Sequence, residues 1–342
     1  MRFLYAPPPV TSLASPELNP ARANRARRIR LNAVDLRANR ALKWLALGGG
    51  VVIFIAMVGI VYQVIDGASL AFGKYGVGFL ADSKWIPSPV TSLARYGAWP
   101  FIYGTLVTSV VSVILSMILG VSIGLFLGLL APRRVSMVIG PLVEMLAAVP
   151  SVVLGLIGIY LICPFISRDL EPPLHAVLGW TGVFGQPQPV GNSLFAASLV
   201  LTIMVVPIVA ALTRDLFLTV PGELRDGAEA LGATRWEMIR GVVLPTTRSG
   251  IVAAGVLGFG RAIGEAIAVT AVVGGSATVS ANLFEGGNTN ASMIASQYIN
   301  AVSNLQISAL FYLALILFVF SVIVNLTARQ IAKGPTDRGR LR

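Results

Sequence analysis

Apolar residues fall in six long runs, at 44–65, 104–130, 138–165, 193–213, 249–273 and 308–326. Each is about 20 residues or longer, the length an α-helix needs to cross the ~30 Å hydrocarbon layer of a bilayer. The pattern predicts an all-α membrane protein with six transmembrane helices. The third run is long enough to tilt or break, and Pro141, Pro150 and Pro164 offer places to do so. The fourth carries Pro207, which a membrane helix accommodates when neighbours satisfy the freed carbonyl.

The polar segments between these runs alternate in charge. If the N-terminus lies inside, the inner segments 1–43, 133–134, 214–248 and 327–342 hold 21 of the 26 Lys and Arg residues, and the outer segments 66–103, 166–192 and 274–307 hold four. Positive loops stay on the cytoplasmic side, so both termini are expected there. The segment 1–43 has nine basic residues against Glu17 and Asp35. Its opening APPPVTSLASPELNP reads as disordered. RANRARRIRLNAVDLRANRALKW reads equally as an interfacial helix leading into the first span or as a solvated basic tail. The outer segment NTNASMIASQYINAV places Met293, Ile294, Ile299 and Val302 at roughly helical spacing, which predicts a short amphipathic or re-entrant helix. The layout is then a basic tail (1–43), a first helix with its outer loop (44–103), a core (104–330) and a basic C-terminal tail (331–342).

Composition supports the membrane reading. Of 342 residues 55% are hydrophobic and 12% charged, about half the charged share of a soluble domain. The net charge of +11 sits beside the apolar runs rather than on one patch, which argues against nucleic acid. One cysteine (Cys163) and one histidine (His175) leave neither a disulfide nor a metal cluster. No cleavable signal peptide is expected, because the first long run starts too deep in the chain. No G-x4-G-K-[ST] loop occurs, so this chain is not expected to hydrolyse ATP.

The inner loop 214–248, RDLFLTVPGELRDGAEALGATRWEMIRGVVLPTTR, predicts a helical hairpin. Pro221 starts a helix with Glu223 in its first turn, Gly232 stops it, and Thr234-Arg-Trp-Glu237 is a capping box that opens a second helix running until Pro245. The residues alone leave open whether this hairpin docks another protein or is plain structure. In the fifth run, GFGRAIGEAIAV sets Arg261 four residues before Glu265, on one face of a helix. Each charge alone costs about 2.5–3.5 kcal/mol at the bilayer centre on insertion scales. The pair must therefore face the protein interior or a wet cavity, either to fix helix register or to line an anion pathway. Gly260 and Gly264 add a small-xxx-small face expected to admit a neighbouring helix.

The spacing Asp226-Gly227-Ala228-x3-Gly232-x9-Val242-x-Leu244-Pro245 resembles the EAA loop of ABC importer permeases, Glu-Ala-Ala-x3-Gly-x9-Ile-x-Leu-Pro, with mild departures at Asp226, Gly227 and Val242. YGTLVTSVVSVILSMILGVSIGLFLG is similar to the first helices of that permease core. EMLAAVPSVVLGLIGIYLICP, ALGATRWEMIRGVVLP and GFGRAIGEAIAV resemble phosphate importers, and KYGVGFLADSKWIP resembles the PstC type of subunit rather than PstA. The resemblance covers about residues 44–330 and implies the type I ABC importer permease fold in a bacterial inner membrane. It implies that Glu223, Asp226, Gly227, Ala228, Gly232, Ala233, Leu244 and Pro245 belong to a hairpin coupled to an ATPase. It also implies that Arg261 and Glu265, with Pro150 and Ser151 at a helix irregularity, line a phosphate pathway.

The partners implied are a homologous PstA-like permease, a PstB-like ATP-binding subunit carrying ATP and Mg, a PstS-like phosphate-binding protein outside, and membrane lipid. No cofactor is expected on this chain. The rival readings are a permease for sulfate, molybdate or an amino acid, the PstA-like partner itself, and a secondary transporter or channel. Glu144 is expected to be solvated near the inner interface rather than in the pathway. Asp169, Glu171 and His175 are expected to be solvated or in contact with a partner, and Cys163 to be an inert buried thiol.

Overall fold

The computed structural model describes residues 33–332. The outermost parts of both basic tails, 1–32 and 333–342, lie outside the described residues. Thirteen α-helices follow in order among them. The first, α1 (Ala33–Tyr75), continues the predicted first span in both directions, and a 3₁₀ turn (Gly76–Leu80) closes it. Then come α2 (Trp99–Leu125), α3 (Arg133–Ala147), α4 (Ser151–Ile157), α5 (Cys163–Phe165), α6 (Glu171–Leu178) and α7 (Leu194–Leu218). The remainder are α8 (Gly222–Ala230), α9 (Arg235–Met238), α10 (Leu244–Gly264), α11 (Ile267–Val272), α12 (Asn290–Gln297) and α13 (Asn304–Ala332). Six helical stretches are long and apolar enough to span a membrane: Asn39–Leu80, Trp99–Leu130, Ser151–Thr181, Leu194–Leu218, Arg235–Gly264 and Asn304–Thr327.

The third span departs from the expected 138–165. The chain turns at Ala148–Pro150, and Pro150 (φ −57°, ψ 134°) caps α4 instead of continuing α3. Proline has no N–H to give the preceding turn, so the helix restarts there. From Ser151 the stretch runs to Thr181, through π turns at Gly158–Ile162 and Ile166–Leu170. It thereby absorbs much of what the sequence assigned to an outer loop. Glu171 is a consequence: expected in solvent or against a partner, it is fully buried and accepts the Gln188 N–H at 2.7 Å.

α7 is the central helix, 72% buried over its apolar window against 28% for four of the other five spans. It lies on α2 along a stripe of small residues, Gly104, Thr105, Thr108, Ser109, Ser112, Ser116, Gly120 and Gly124, all buried. A Cβ on Gly120 would come within 2.8 Å of Val209, so only glycine permits this approach. Most of the hydroxyls are satisfied inside their own helices: Thr105 donates to Phe101 O at 2.7 Å, Thr108 to Gly104 O at 2.8 Å, and Thr202 to Ser198 O at 2.7 Å, whereas Ser112 Oγ is buried without a partner among the described residues. Ser116 bridges across to Thr202 O at 3.3 Å.

The short helix expected near 293–302 is real but shorter. α12 covers Asn290–Gln297, capped by Thr289, whose hydroxyl accepts from Ser292 N–H. Its Asn290 N–H donates to Thr105 Oγ1 at 2.9 Å, which ties it to α2. Ile299 and Val302 lie beyond its end and are exposed.

Within the described residues of this chain, Gly260 and Gly264 do not carry the close packing expected of them: a Cβ at either would meet nothing within 4 Å. The packed glycines of α10 are one face away. A Cβ on Gly258 would sit 2.6 Å from Val205 Cγ1, and one on Gly255 2.8 Å from Met117 Sδ. Gly258→Leu is therefore expected to destabilise the detergent-solubilised chain by about 1–3 kcal/mol through overpacking, and Gly260→Ala to leave its thermal midpoint unchanged or slightly raised. Equal midpoints for the two variants would contradict this packing.

Candidate functional site

α10 ends where its charges begin. Arg261 lies in its last turn, and Glu265 leaves helical geometry with an extended backbone (φ −74°, ψ 118°). The predicted span 249–273 is thus two helices, α10 and α11, with Glu265 at the joint. Arg261 Nη2 stands 3.3 Å from Glu265 Oε2. Glu265 Oε1 accepts from Ala268 N–H at 3.3 Å. The carboxylate is held by a cation on one side and by the first turn of α11 on the other, where the helix dipole favours negative charge. Glu265 is only 5% exposed whereas Arg261 is 45% exposed. Arg261 and Gly264 lie on a face that this chain does not cover, beside the exposed Leu257 and Ile267.

α4 supports the joint from behind. A Cβ on Gly155 would lie 3.2 Å from Ala268 Cα, and one on Gly158 2.5 Å from Val272 Cγ1. The helix that opens at Pro150 and Ser151 is therefore pressed against the helix that Glu265 caps. Val149, at the break, packs on the core cluster that contains Ala262 and Ala268. Pro150 is exposed and Ser151 half-buried.

The hairpin is formed as the local signals dictate. Pro221 caps α8, Gly232 adopts φ +85°, and its N–H reaches Glu229 O at 2.9 Å. Thr234 and Glu237 form the full capping box, with Thr234 N–H to Glu237 Oε2 at 2.8 Å. Glu223, Asp226 and Gly227 are exposed. Ala228 and Leu244 instead face inward, against a cluster of Phe217, Val220, Met238, Ile239 and Val243. Those two residues anchor the hairpin rather than display a surface. Arg225, Asp226, Glu229 and Arg235 border a cleft against Leu129 and Leu130. The apolar side chains presented outward are Leu224, Trp236 and Leu231, the last 91% exposed at the turn. Leu231 carries no motif, but an apolar residue beside a glycine stop at a hairpin tip was a readable signal.

Pro245 does not end the second arm. A π turn over Ile239–Val243 precedes it, with Leu244 N–H bonded to Ile239 O, and this wider turn accommodates Pro245, which has no N–H to give, at the start of α10. The arm and the fifth span are one helical rod, Arg235–Gly264.

Of the remaining candidates, Glu144 is exposed, as expected, and also pairs with Arg214 at 2.8 Å. His175 Nδ1 bonds with Phe184 O at 3.0 Å, so it is structural. Cys163 is buried and unpaired, as expected.

Comparison with known proteins agrees with this architecture. The family of binding-protein-dependent transport system inner membrane components matches residues 120–335. Phosphate transport system permease proteins PstC are 34% identical in Mesorhizobium japonicum, over 82% of this chain and 86% of that protein. The PstC of Haemophilus influenzae is 36% identical over 84% and 91%, and PstC 1 of Mycobacterium tuberculosis 36% over 87% and 94%. A chain of a bacterial alginate ABC transporter, crystallised with an alginate pentasaccharide-bound periplasmic protein, has the same fold at 16% identity. It covers 86% of this chain and 98% of its own, with a TM-score of 0.57. By sequence match and by fold, this chain belongs to the binding-protein-dependent transport system inner membrane component family.

Proposed function

We propose that this chain is a membrane-spanning permease subunit of an ATP-driven phosphate importer in a bacterial inner membrane. The observation that carries the substrate is the Arg261–Glu265 pair at the joint between α10 and α11. Arginine's planar fork suits phosphate oxygens. A carboxylate beside it repels a fully ionised anion but accepts a hydrogen bond from the P–OH that inorganic phosphate keeps near neutral pH. Sulfate has no such proton and would face an unpaired acceptor. The names of the PstC relatives support the same substrate.

Both termini and the hairpin lie in the cytoplasm in this reading, as the basic residues favour. The hairpin docks an ATP-binding subunit, which supplies ATP and Mg, and this chain binds no cofactor. Glu223, Asp226, Gly227, Gly232 and Ala233 shape the docking surface. The uncovered face of Arg261, Gly260 and Gly264 meets a homologous second permease, so the pathway runs between the two, past Pro150 and Ser151. A soluble phosphate-binding protein delivers substrate at the opposite end.

Arg261→Gln and Glu265→Gln are each expected to cut phosphate uptake by the assembled importer roughly ten- to hundred-fold, the loss of one charge-assisted hydrogen bond. Uptake left intact in both variants would overturn the assignment. At the hairpin, Gly232→Val forces a β-branched residue into left-handed geometry, at about 1–3 kcal/mol, whereas Asn tolerates it. Co-purification of the ATP-binding subunit should fall for Gly232→Val and persist for Gly232→Asn; equal recovery would argue against docking there.

A further inference from the structure

Arg214 and Glu144 are 70 residues apart in sequence and meet with Nη1 2.8 Å from Oε1. Two further ion pairs occur among the described residues. Asp82–Arg95 lies within one loop segment and Arg261–Glu265 spans only the end of α10 and the joint after it. Arg214–Glu144 joins two separate elements, the end of α7 and the end of α3.

Its seat is shaped for a guanidinium. Gly140 is buried one turn before Glu144, and a Cβ there would fall 2.9 Å from Arg214 Nη1 and 3.3 Å from Cζ. A Cβ on Gly128 would stand 3.4 Å from Arg214 O and 3.7 Å from its Cγ. The arginine thus lies across α3 over a glycine, with its Nε buried and without a hydrogen-bond partner. Glu144 is 53% exposed and Arg214 22%. Screening leaves such a pair little to add to stability. Its consequence is mechanical, because the ends of α3 and α7 cannot slide independently while it holds.

The two ends lead to different machinery. Beyond Arg214, α7 continues to Phe217, which with Val220, Met238, Ile239 and Val243 forms the hairpin's core. Beyond Glu144, α3 stops at Ala147 and the chain breaks at Ala148–Pro150 into α4, which supports the helix capped by Glu265. We propose that Arg214 and Glu144 are positioning residues for transport: a latch that carries displacement of the hairpin to the break at Pro150, so that ATP-driven movement reaches the pathway. This rests on the reading of the hairpin as the docking site of an ATP-binding subunit.

The test uses the complete importer in proteoliposomes and reads phosphate imported per ATP hydrolysed. Arg214→Gln and Glu144→Gln should each lower that ratio about two- to five-fold, the most that a screened pair of this exposure carries, with ATP hydrolysis retained. The double variant should be no worse than the singles, since the interaction is lost once. Gly140→Leu, which keeps both charges and displaces the guanidinium, should match them. An unchanged ratio, whether activity is normal or both rates fall together, overturns the latch. Should a glutamine variant fail to assemble, Gly140→Ala decides in the same way: a lowered ratio supports the latch and an unchanged one overturns it. A wild-type complex without phosphate-dependent ATP hydrolysis would instead overturn the functional reading beneath it.

Discussion

A carboxylate removed from water must be given back, by the protein, what hydration supplied. Glu265 shows how this chain does so. Its oxygens have a guanidinium at 3.3 Å and a helix N–H at 3.3 Å, and the second partner exists only because α10 stops one residue earlier. Had the fifth span stayed helical to residue 273, the Ala268 N–H would have been used by a backbone carbonyl. The helix break and the charge pair are therefore one structural decision. Compensation is incomplete by design, because Arg261 remains half exposed on a face the chain leaves open. A cation with spare donors on an uncovered face can meet an anion; a fully matched pair cannot.

The same helix reaches the other end of the molecule. From Arg235 to Gly264 the rod has 30 residues, about 45 Å at 1.5 Å per residue. Its first turn closes the hairpin and its last turn carries Arg261. The rod ends at Glu265, whose extended backbone separates α10 from α11 while its own N–H still donates to Ala262 O at 3.4 Å. The π turn before Pro245 keeps the rod continuous where a proline would otherwise divide it. The small-residue stripe on α2 and the buried face of α7 form the packed frame on which this rod lies.

Much of this was legible in the residues, and what was not has physical reasons. The hairpin was readable because Pro221, Gly232 and the Thr234–Glu237 box act through local geometry alone. The continuity through Pro245 was not, since a π turn has no propensity signature. The break at Glu265 was equally hidden: GRAIGEAIAV contains no proline, and the close approach of Gly155 and Gly158 to Ala268 and Val272 of α11 is a tertiary contact that local sequence does not show. The small-xxx-small pattern was read at Gly260 and Gly264, where nothing among the described residues would meet an added Cβ; within this chain Gly258 and the stripe of α2 make the close helix contacts. Glu171 looked like a loop residue because the third span was drawn too short. The role of the basic residues 1–32 lies outside the described structure.

The most direct test of the central claim is a structure of the assembled importer trapped with phosphate inside the membrane. The account predicts phosphate within hydrogen-bonding distance, about 3 Å, of both Arg261 and Glu265, at the seam between the two permeases. Phosphate bound elsewhere, with Arg261 turned to lipid, would contradict it.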